Sequence, residues 1–298
     1  MNNRFVKKNQ ERIIEFLLSF SGFITVITTI GIIWVLVIES THFFSEISII
    51  DFLTDTEWRP SDSRNPHFGV LVLLSGTVLT TGIAIFFAVP VGLIIAIYLS
   101  EYSPKKLRQW LKPMLELLAA VPTVVYGYFA LSVLTPFLRQ FIDNMPLFNA
   151  LSAGLVMGIM IIPIITSLSE DALRSVPKIL REASYGLGAT KFQTAFKVIL
   201  PAASSGVVVS IILAVARAIG ETMIVAVAAG TMPNLTLDPR DSVMTITTYM
   251  AETASGDVEF GSLRYQSIFA VGITLFLFTF LLNSISFYVK KKYQETYE

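Results

Sequence analysis

Arg217 and Glu221 are the residues of this chain best suited to do chemistry. They are the only charges inside any of its long apolar runs. Their i,i+4 spacing puts both on one face of a helix. A charge at the middle of a bilayer costs ~2.5–3.5 kcal/mol on insertion scales, so each should face a protein interior and have a partner. Two partners come into question. The first is each other, in an ion pair that locks helix packing. The second is an anion: a guanidinium donates two parallel hydrogen bonds to a tetrahedral oxyanion. Glu221 would then accept the proton-bearing oxygen of a partly protonated anion, a chemistry that favours phosphate over sulfate near neutral pH.

A second stretch, Arg181-Glu182-Ala183-Ser184-Tyr185-Gly186-Leu187-Gly188, offers a handle instead of a reaction. Apolar residues at 172, 176, 179, 180 and 183 follow the helical period, as do Phe192, Ala195, Phe196 and Ile199 after the glycines. Gly186 or Gly188 can end the first helix in a left-handed cap, and Thr190 with Gln193 has the capping-box spacing that starts the second. Pro201 is expected to close the unit. The pattern predicts two short helices joined by a sharp turn at a membrane face, either an ordinary surface loop or a knob for a soluble partner. Gly186 and Gly188 do not form a phosphate-cradling loop, because no Gly-Lys-Ser/Thr and no preceding strand accompany them.

The elements that must hold these residues are membrane spans. The chain has 298 residues, 53 % hydrophobic and 15 % charged, with a mean hydropathy of +0.66. Its apolar residues fall in long runs: 16–38, 68–99 (with Pro90), 117–138 (with Pro122 and Pro136), 144–169, about 206–230 and 265–289. These make six expected helices of an all-α membrane protein. Gly154 and Gly158 have the small-xxx-small spacing of a close helix contact. There is no cysteine, and His42 and His67 read as isolated loop residues. Ser75, Thr77, Thr80 and Thr81 read as hydroxyls bonded within their own helix. Net charge is zero and points to no nucleic acid.

With the N-terminus inside, inward segments hold 16 of the 22 Lys and Arg. The positive-inside bias therefore puts both termini and the hairpin in the cytoplasm, and the acidic segments 39–67 and 231–264 outside. Three regions follow: 1–67, with a tail, a first span and an acidic outward segment; 68–289, a core carrying the hairpin 176–201; and a tail, 290–298.

Glu182, Ala183, Gly188, Val198, Leu200 and Pro201 resemble the EAA motif of the permeases of binding-protein-dependent ABC importers. Ser184 and Val198 are conservative departures from it. The resemblance implies a type-1 permease fold, a hairpin that couples to a separate ATPase dimer, and no catalytic residue, metal or cofactor on this chain, with ATP and Mg held by the partner. Arg217 to Met223, together with Ala119 to Gly127, further resembles the PstC-type permeases of high-affinity phosphate importers, over roughly 68–289. It implies a second permease of PstA type, an ATPase dimer of PstB type, an extracytoplasmic phosphate-binding protein of PstS type, and residence in a bacterial inner membrane. Arg217 and Glu221 would line the substrate path, and Glu182, Ala183, Gly188, Leu200 and Pro201 would serve coupling. A permease for sulfate or molybdate is the alternative. An ATP-independent channel or secondary transporter is a more distant one, since no inverted repeat is evident.

Overall fold

The computed structural model describes residues 2–62 and 64–293. Helix α1 (Asn2–Glu46) leads into a short α2 (Ile49–Thr54), then a two-residue antiparallel pair, β1 (Trp58–Arg59) and β2 (His67–Phe68). Next come α3 (Val70–Ile97), α4 (Lys105–Ala119), α5 (Thr123–Phe129), α6 (Thr135–Leu138) and α7 (Ala150–Ser175). The hairpin contributes α8 (Lys178–Gly186), α9 (Lys191–Thr194) and α10 (Leu200–Ala202). The chain finishes with α11 (Ser204–Ile219), α12 (Met223–Ala228), α13 (Ile246–Ser255) and α14 (Leu263–Tyr293).

Four helices are each long and apolar enough to cross a membrane: Ile14–Glu46, Val70–Tyr102, Ala150–Ser175 and Leu263–Ile285. Two bent pairs bring the number to six: Lys105–Ala119 with Thr123–Leu138, bent by 86°, and Lys191–Ala202 with Ser204–Ile219, bent by 73°. The expected third and fifth spans are therefore broken elements, not single rods. At the first break, Pro122 has no N–H to give and favours extended backbone before it, so helix α4 ends at Ala119 and α5 restarts after Pro122. At the second, the helical path runs through Pro201 and bends only at Ala203. The expected stop at Pro201 does not occur there, because a π turn (Ala195–Ile199) precedes it and relaxes the backbone that the ring would meet.

The core lies between α3, α5, α7, α11 and α12, with Met157, Met160, Ile161, Ile165 and Ile224 fully buried. Helices α3 and α7 pack most closely. A Cβ on Gly154 would sit 2.7 Å from Ile83 Cβ and 3.0 Å from Thr80 O; on Gly158 it would sit 3.0 Å from Ala84 O. The small-residue spacing is a backbone contact, as expected. Gly154→Leu should lower the unfolding midpoint in detergent and cost ~1–3 kcal/mol or more, the cost of overpacking a dense core. Ser152→Ala, about half a turn away, removes one hydroxyl that accepts from Thr135 Oγ1 and adds no volume, so it should be milder.

The acidic segment 39–67 is more structured than an open loop. Phe43, Phe52, Trp58 and Phe68 bury their rings in one cluster with Tyr249 of α13. The strand pair that carries Trp58 and Phe68 departs from a purely helical chain, and edge-to-face rings hold it in place (Trp58–Tyr249 centroids 4.8 Å, Phe43–Phe68 5.2 Å). Neither histidine is an isolated loop residue: His42 lies within α1, and His67 Nδ1 sits 2.8 Å from Asp55 Oδ2. Within α3, Ser75, Thr77 and Thr80 donate to Val72, Leu73 and Gly76 carbonyls, whereas Thr81 Oγ1 is buried without a partner.

Candidate functional site

The hairpin is built by its own local chemistry. Helix α8 ends in a Schellman arrangement: Gly188, at φ +81°, donates to Tyr185 O (2.9 Å), and Ala189 N donates to Ser184 O (3.1 Å). Gly188 and not Gly186 takes the left-handed position. Two residues on, Thr190 Oγ1 accepts from Gln193 N while Gln193 Oε1 accepts from Thr190 N, the expected reciprocal cap. A buried hydroxyl pair, Ser184 Oγ to Thr194 Oγ1 at 2.9 Å, joins the two helices across the turn.

Docking of the hairpin onto the spans differs from the periodicity reading. Ala172 belongs to α7 and Val176 to the turn before Pro177, so the stripe is split. Its next member, Ile179, is 70 % exposed instead of inward, and Ala183 is exposed as well. Of the stripe within α8, Leu180 does turn inward and packs half-buried against Leu173, Val176 and Ile199, and polar contacts complete the docking. Arg181 donates from Nη2 to Glu101 Oε1 (3.1 Å) and Leu173 O (2.8 Å), and from Nη1 to Val176 O. It thus caps the carboxyl end of α7 and ties the hairpin to the end of α3's π turn (Tyr98–Tyr102). The second arm buries Ala195 and Ile199 beside Ala96, Leu173 and Val207. The outward surface is mixed: beside exposed Lys178, Glu182, Lys191 and Lys197 it carries Ile179, Leu187 (90 % exposed), Phe192 and Phe196, with the last two rings 4.5 Å apart between centroids. Glu182, Gly188 and Pro201 are exposed and Leu200 half-buried, so the motif residues lie along this open face and its root.

At the other site the structure separates Arg217 from Glu221. Helix α11 stops at Ile219 with Gly220 as its cap, so the i,i+4 face does not extend to Glu221. Glu221 instead turns its buried side chain forward. Its Oε1 accepts from Met223 N (3.1 Å) and Ile224 N (3.3 Å) at the start of α12, and its carbonyl accepts from Thr247 Oγ1 (2.7 Å). A carboxylate at a helix amino end satisfies free N–H groups and opposes the dipole, which explains how this charge is kept inside. Arg217 forms no ion pair among the described residues. Its nearest polar contact is Nη2 to Met160 Sδ of α7, at 3.9 Å, and its side chain is exposed in this single chain. The mutual ion pair is not the arrangement adopted. Of the aromatic residues beside Pro122, Tyr126 is buried with its hydroxyl on Leu118 O (2.7 Å), and Tyr128 is exposed. Gly127 lets α5 approach α12, where a Cβ would sit 2.9 Å from Val227 Cβ.

Two charged clusters escaped the sequence reading. Glu170, 1 % exposed in α7, accepts from Lys112 Nζ of α4 (3.0 Å) and Arg174 Nη1 (3.3 Å); Lys112 also reaches Asp171 (2.7 Å). Arg217 and Glu221 are thus not the only charges on the span helices, because α7 runs on to Ser175 past the end of its apolar run. Glu101 with Arg181 is the second cluster. The available signal was opposite charge at the ends of apolar runs, but which ends meet is set only by the fold.

Four long apolar helices, or six spans when each bent pair is counted as one, with a capped amphipathic hairpin, define a multi-pass membrane protein. The match to the family of binding-protein-dependent transport system inner membrane components covers residues 88–295, and the chain belongs to that family. It is a multi-pass membrane protein, a transport component and not an enzyme. Among its relatives, the probable ABC transporter permease protein YqgH of Bacillus subtilis is 37 % identical over 246 residues, 83 % of this chain and 79 % of that one. The phosphate transport system permease protein PstC of Mesorhizobium japonicum is 35 % identical over 257 residues, covering 80 % and 77 %. PstC of Haemophilus influenzae is 34 % identical, covering 82 % of each. In architecture the chain is similar to a subunit of a bacterial alginate ABC transporter, solved with an alginate-bound periplasmic protein (TM-score 0.65, 15 % identity, 97 % and 98 % covered). It is also similar to a chain of the inward-facing methionine ABC transporter MetNI (TM-score 0.54, 21 % identity, 73 % and 96 % covered).

Proposed function

We propose that this chain is the membrane-spanning half of an ATP-driven phosphate importer, and that Arg217 receives the anion as it passes. The observation that carries the reading is the state of Arg217: a guanidinium on a span helix with no carboxylate beside it among the described residues. Such a group needs a counter-charge, and a passing oxyanion supplies one with geometry suited to its fork. Glu221 holds the start of α12 and so positions the backbone next to Arg217, with its second carboxylate oxygen able to accept from a protonated phosphate oxygen.

Coupling runs through the hairpin. Glu182, Ala183, Gly188, Leu200 and Pro201 form the contact surface for one subunit of an ATPase pair that holds ATP and Mg, and the exposed Ile179, Leu187, Phe192 and Phe196 give that surface its apolar area. A second, homologous permease (PstA type) completes the pathway. A phosphate-binding protein (PstS type) docks on the outward segments 39–67 and 231–264, and the hairpin faces the cytoplasm with both termini. The printed names of the PstC relatives support phosphate as cargo.

The test is uptake of labelled phosphate in cells lacking this chain, complemented with it and supplied with the partner subunits. Wild type should restore uptake that excess sulfate does not compete. Uptake that sulfate or molybdate suppresses would reassign the cargo, and uptake without the ATPase would overturn the coupling.

A further inference from the structure

Beside the hairpin, α4 stands apart from the bundle. None of its residues is buried, and it is turned 86° from the span that follows it. One edge is apolar and open: Leu107, Trp110 (75 % exposed), Met114, Leu117 and Leu118, at i, i+3, i+7, i+10 and i+11. The opposite side carries Lys105, Gln109, Lys112 and Glu116, with Arg108 on its flank, so cations outnumber the one carboxylate. A helix at right angles to a span, apolar on one side and basic on the other, with a tryptophan at the boundary, is the pattern of an element lying in the bilayer interface. It is held there from the side, since Lys112 reaches Glu170 and Asp171 of α7.

The basic edge opens on a cavity of about 360 Å3, where Arg108 of α4 meets Arg174, Lys178 and Arg181 against one carboxylate, Glu182. Two of these cations are already matched, Arg174 by Glu170 and Arg181 by Glu101. Arg108 and Lys178 have no ion pair among the described residues. The cavity therefore holds uncompensated positive charge, and Arg108 brings it to the flank of α4, about a quarter turn round the helix from Leu107.

We propose that this cavity binds the phosphodiester headgroup of an anionic phospholipid whose acyl chains lie along the apolar edge of α4. Basic pockets at the end of a bundle, next to an interfacial helix, recognise such headgroups, and a zwitterionic headgroup would bring a cation into a site that already has a surplus. The presence of both on one helix selects a lipid, whose chains can lie against exposed Trp110 and Met114 while its headgroup reaches Arg108, over a free phosphate ion, which would gain nothing from them. Lys178 and Glu182 belong to α8, so the bound headgroup also braces the hairpin. The inference goes beyond the transport reading and does not depend on which anion is carried.

The experiment is native mass spectrometry of the full chain assembled with its partner subunits and released from nanodiscs that mix phosphatidylglycerol and phosphatidylcholine. Wild type should retain phosphatidylglycerol selectively, and excess inorganic phosphate should not displace it. The pair Arg108→Gln with Lys178→Gln should lose about thirtyfold in retention, two surface charges being removed, whereas Arg108→Lys with Lys178→Arg should keep it. The proposal is overturned if wild type shows no preference between the two lipids, if inorganic phosphate empties the site, or if the glutamine pair retains as much lipid as wild type. It is also overturned if lipid is present only when the ATPase is absent, which would assign the cavity to acidic residues of that partner. The first two readings need wild type alone, so they stand even if a variant fails to assemble.

Discussion

Arg217→Ala should abolish phosphate uptake while leaving the protein at normal levels in the membrane, if the proposed anion path is right. Two charge-assisted hydrogen bonds to the anion are lost, each worth about 1.5–3 kcal/mol, so uptake should fall by roughly a hundredfold or more. The fold should tolerate the change, since Arg217 is exposed and its one polar contact is a 3.9 Å approach to Met160 Sδ. Arg217→Lys keeps the charge but not the planar fork, and should recover uptake to roughly a tenth of wild type. Labelled-phosphate uptake, normalised to the amount of chain in the membrane, decides it; near-normal uptake by the alanine variant would remove Arg217 from the path. Glu221→Gln is the companion measurement. Glutamine's amide oxygen can still accept from Met223 N and Ile224 N, so the start of α12 is preserved while the charge is removed. An unchanged preference for phosphate over sulfate in that variant would rule out a discriminating role for the carboxylate.

Gly188→Val should uncouple transport from ATP hydrolysis, reducing uptake by about tenfold in an otherwise assembled importer. The reason is backbone geometry. Gly188 sits at φ +81°, and a Cβ there would meet nothing within 4 Å. No clash is involved; the cost is the ~1–2 kcal/mol that an L-residue incurs in the left-handed region, at its steepest for a β-branched side chain. That is enough to shift the hairpin out of its Schellman turn in most molecules, and Leu187 and Phe192 would then be presented at the wrong angle. Gly188→Asn separates this account from a loss of contact surface, because asparagine tolerates the left-handed conformation and should keep most of the uptake. Equal losses in both variants would mean that the surface at Gly188, and not the turn, is what matters.

How far each of these features was legible depended on the range of the forces behind it. The spans, the hairpin and its caps are local: apolar runs, a glycine able to adopt positive φ, and the Thr190–Gln193 reciprocal bonds all act within a few residues. Gly154 and Gly158 were legible for the same reason, because a stripe of missing side chains requires a close neighbour whichever helix supplies it. The i,i+4 argument for Arg217 and Glu221 failed because it assumed an unbroken helix. Gly220 ends α11 between them, and the free N–H groups of α12 outbid Arg217 for the Glu221 carboxylate.

Only the tertiary structure decided the rest. Arg181 meets Glu101 across 80 positions of sequence and Lys112 meets Glu170 across 58. A long-range ion pair leaves no periodic trace, and several cations compete on paper for each carboxylate. The outward turn of Ile179 was hidden for a related reason: the apolar stripe marks a face that avoids water, but the fold determines whether that face meets its own bundle or another subunit. The sequence by itself determined a membrane permease with a preformed, capped hairpin, because hydropathy and capping are properties of neighbours along the chain. The fold decided that Arg217 has no ion pair among the described residues, and that Arg181 and Leu180 hold the knob while Ile179, Leu187 and Phe192 stay exposed, because those depend on which distant helices share a surface.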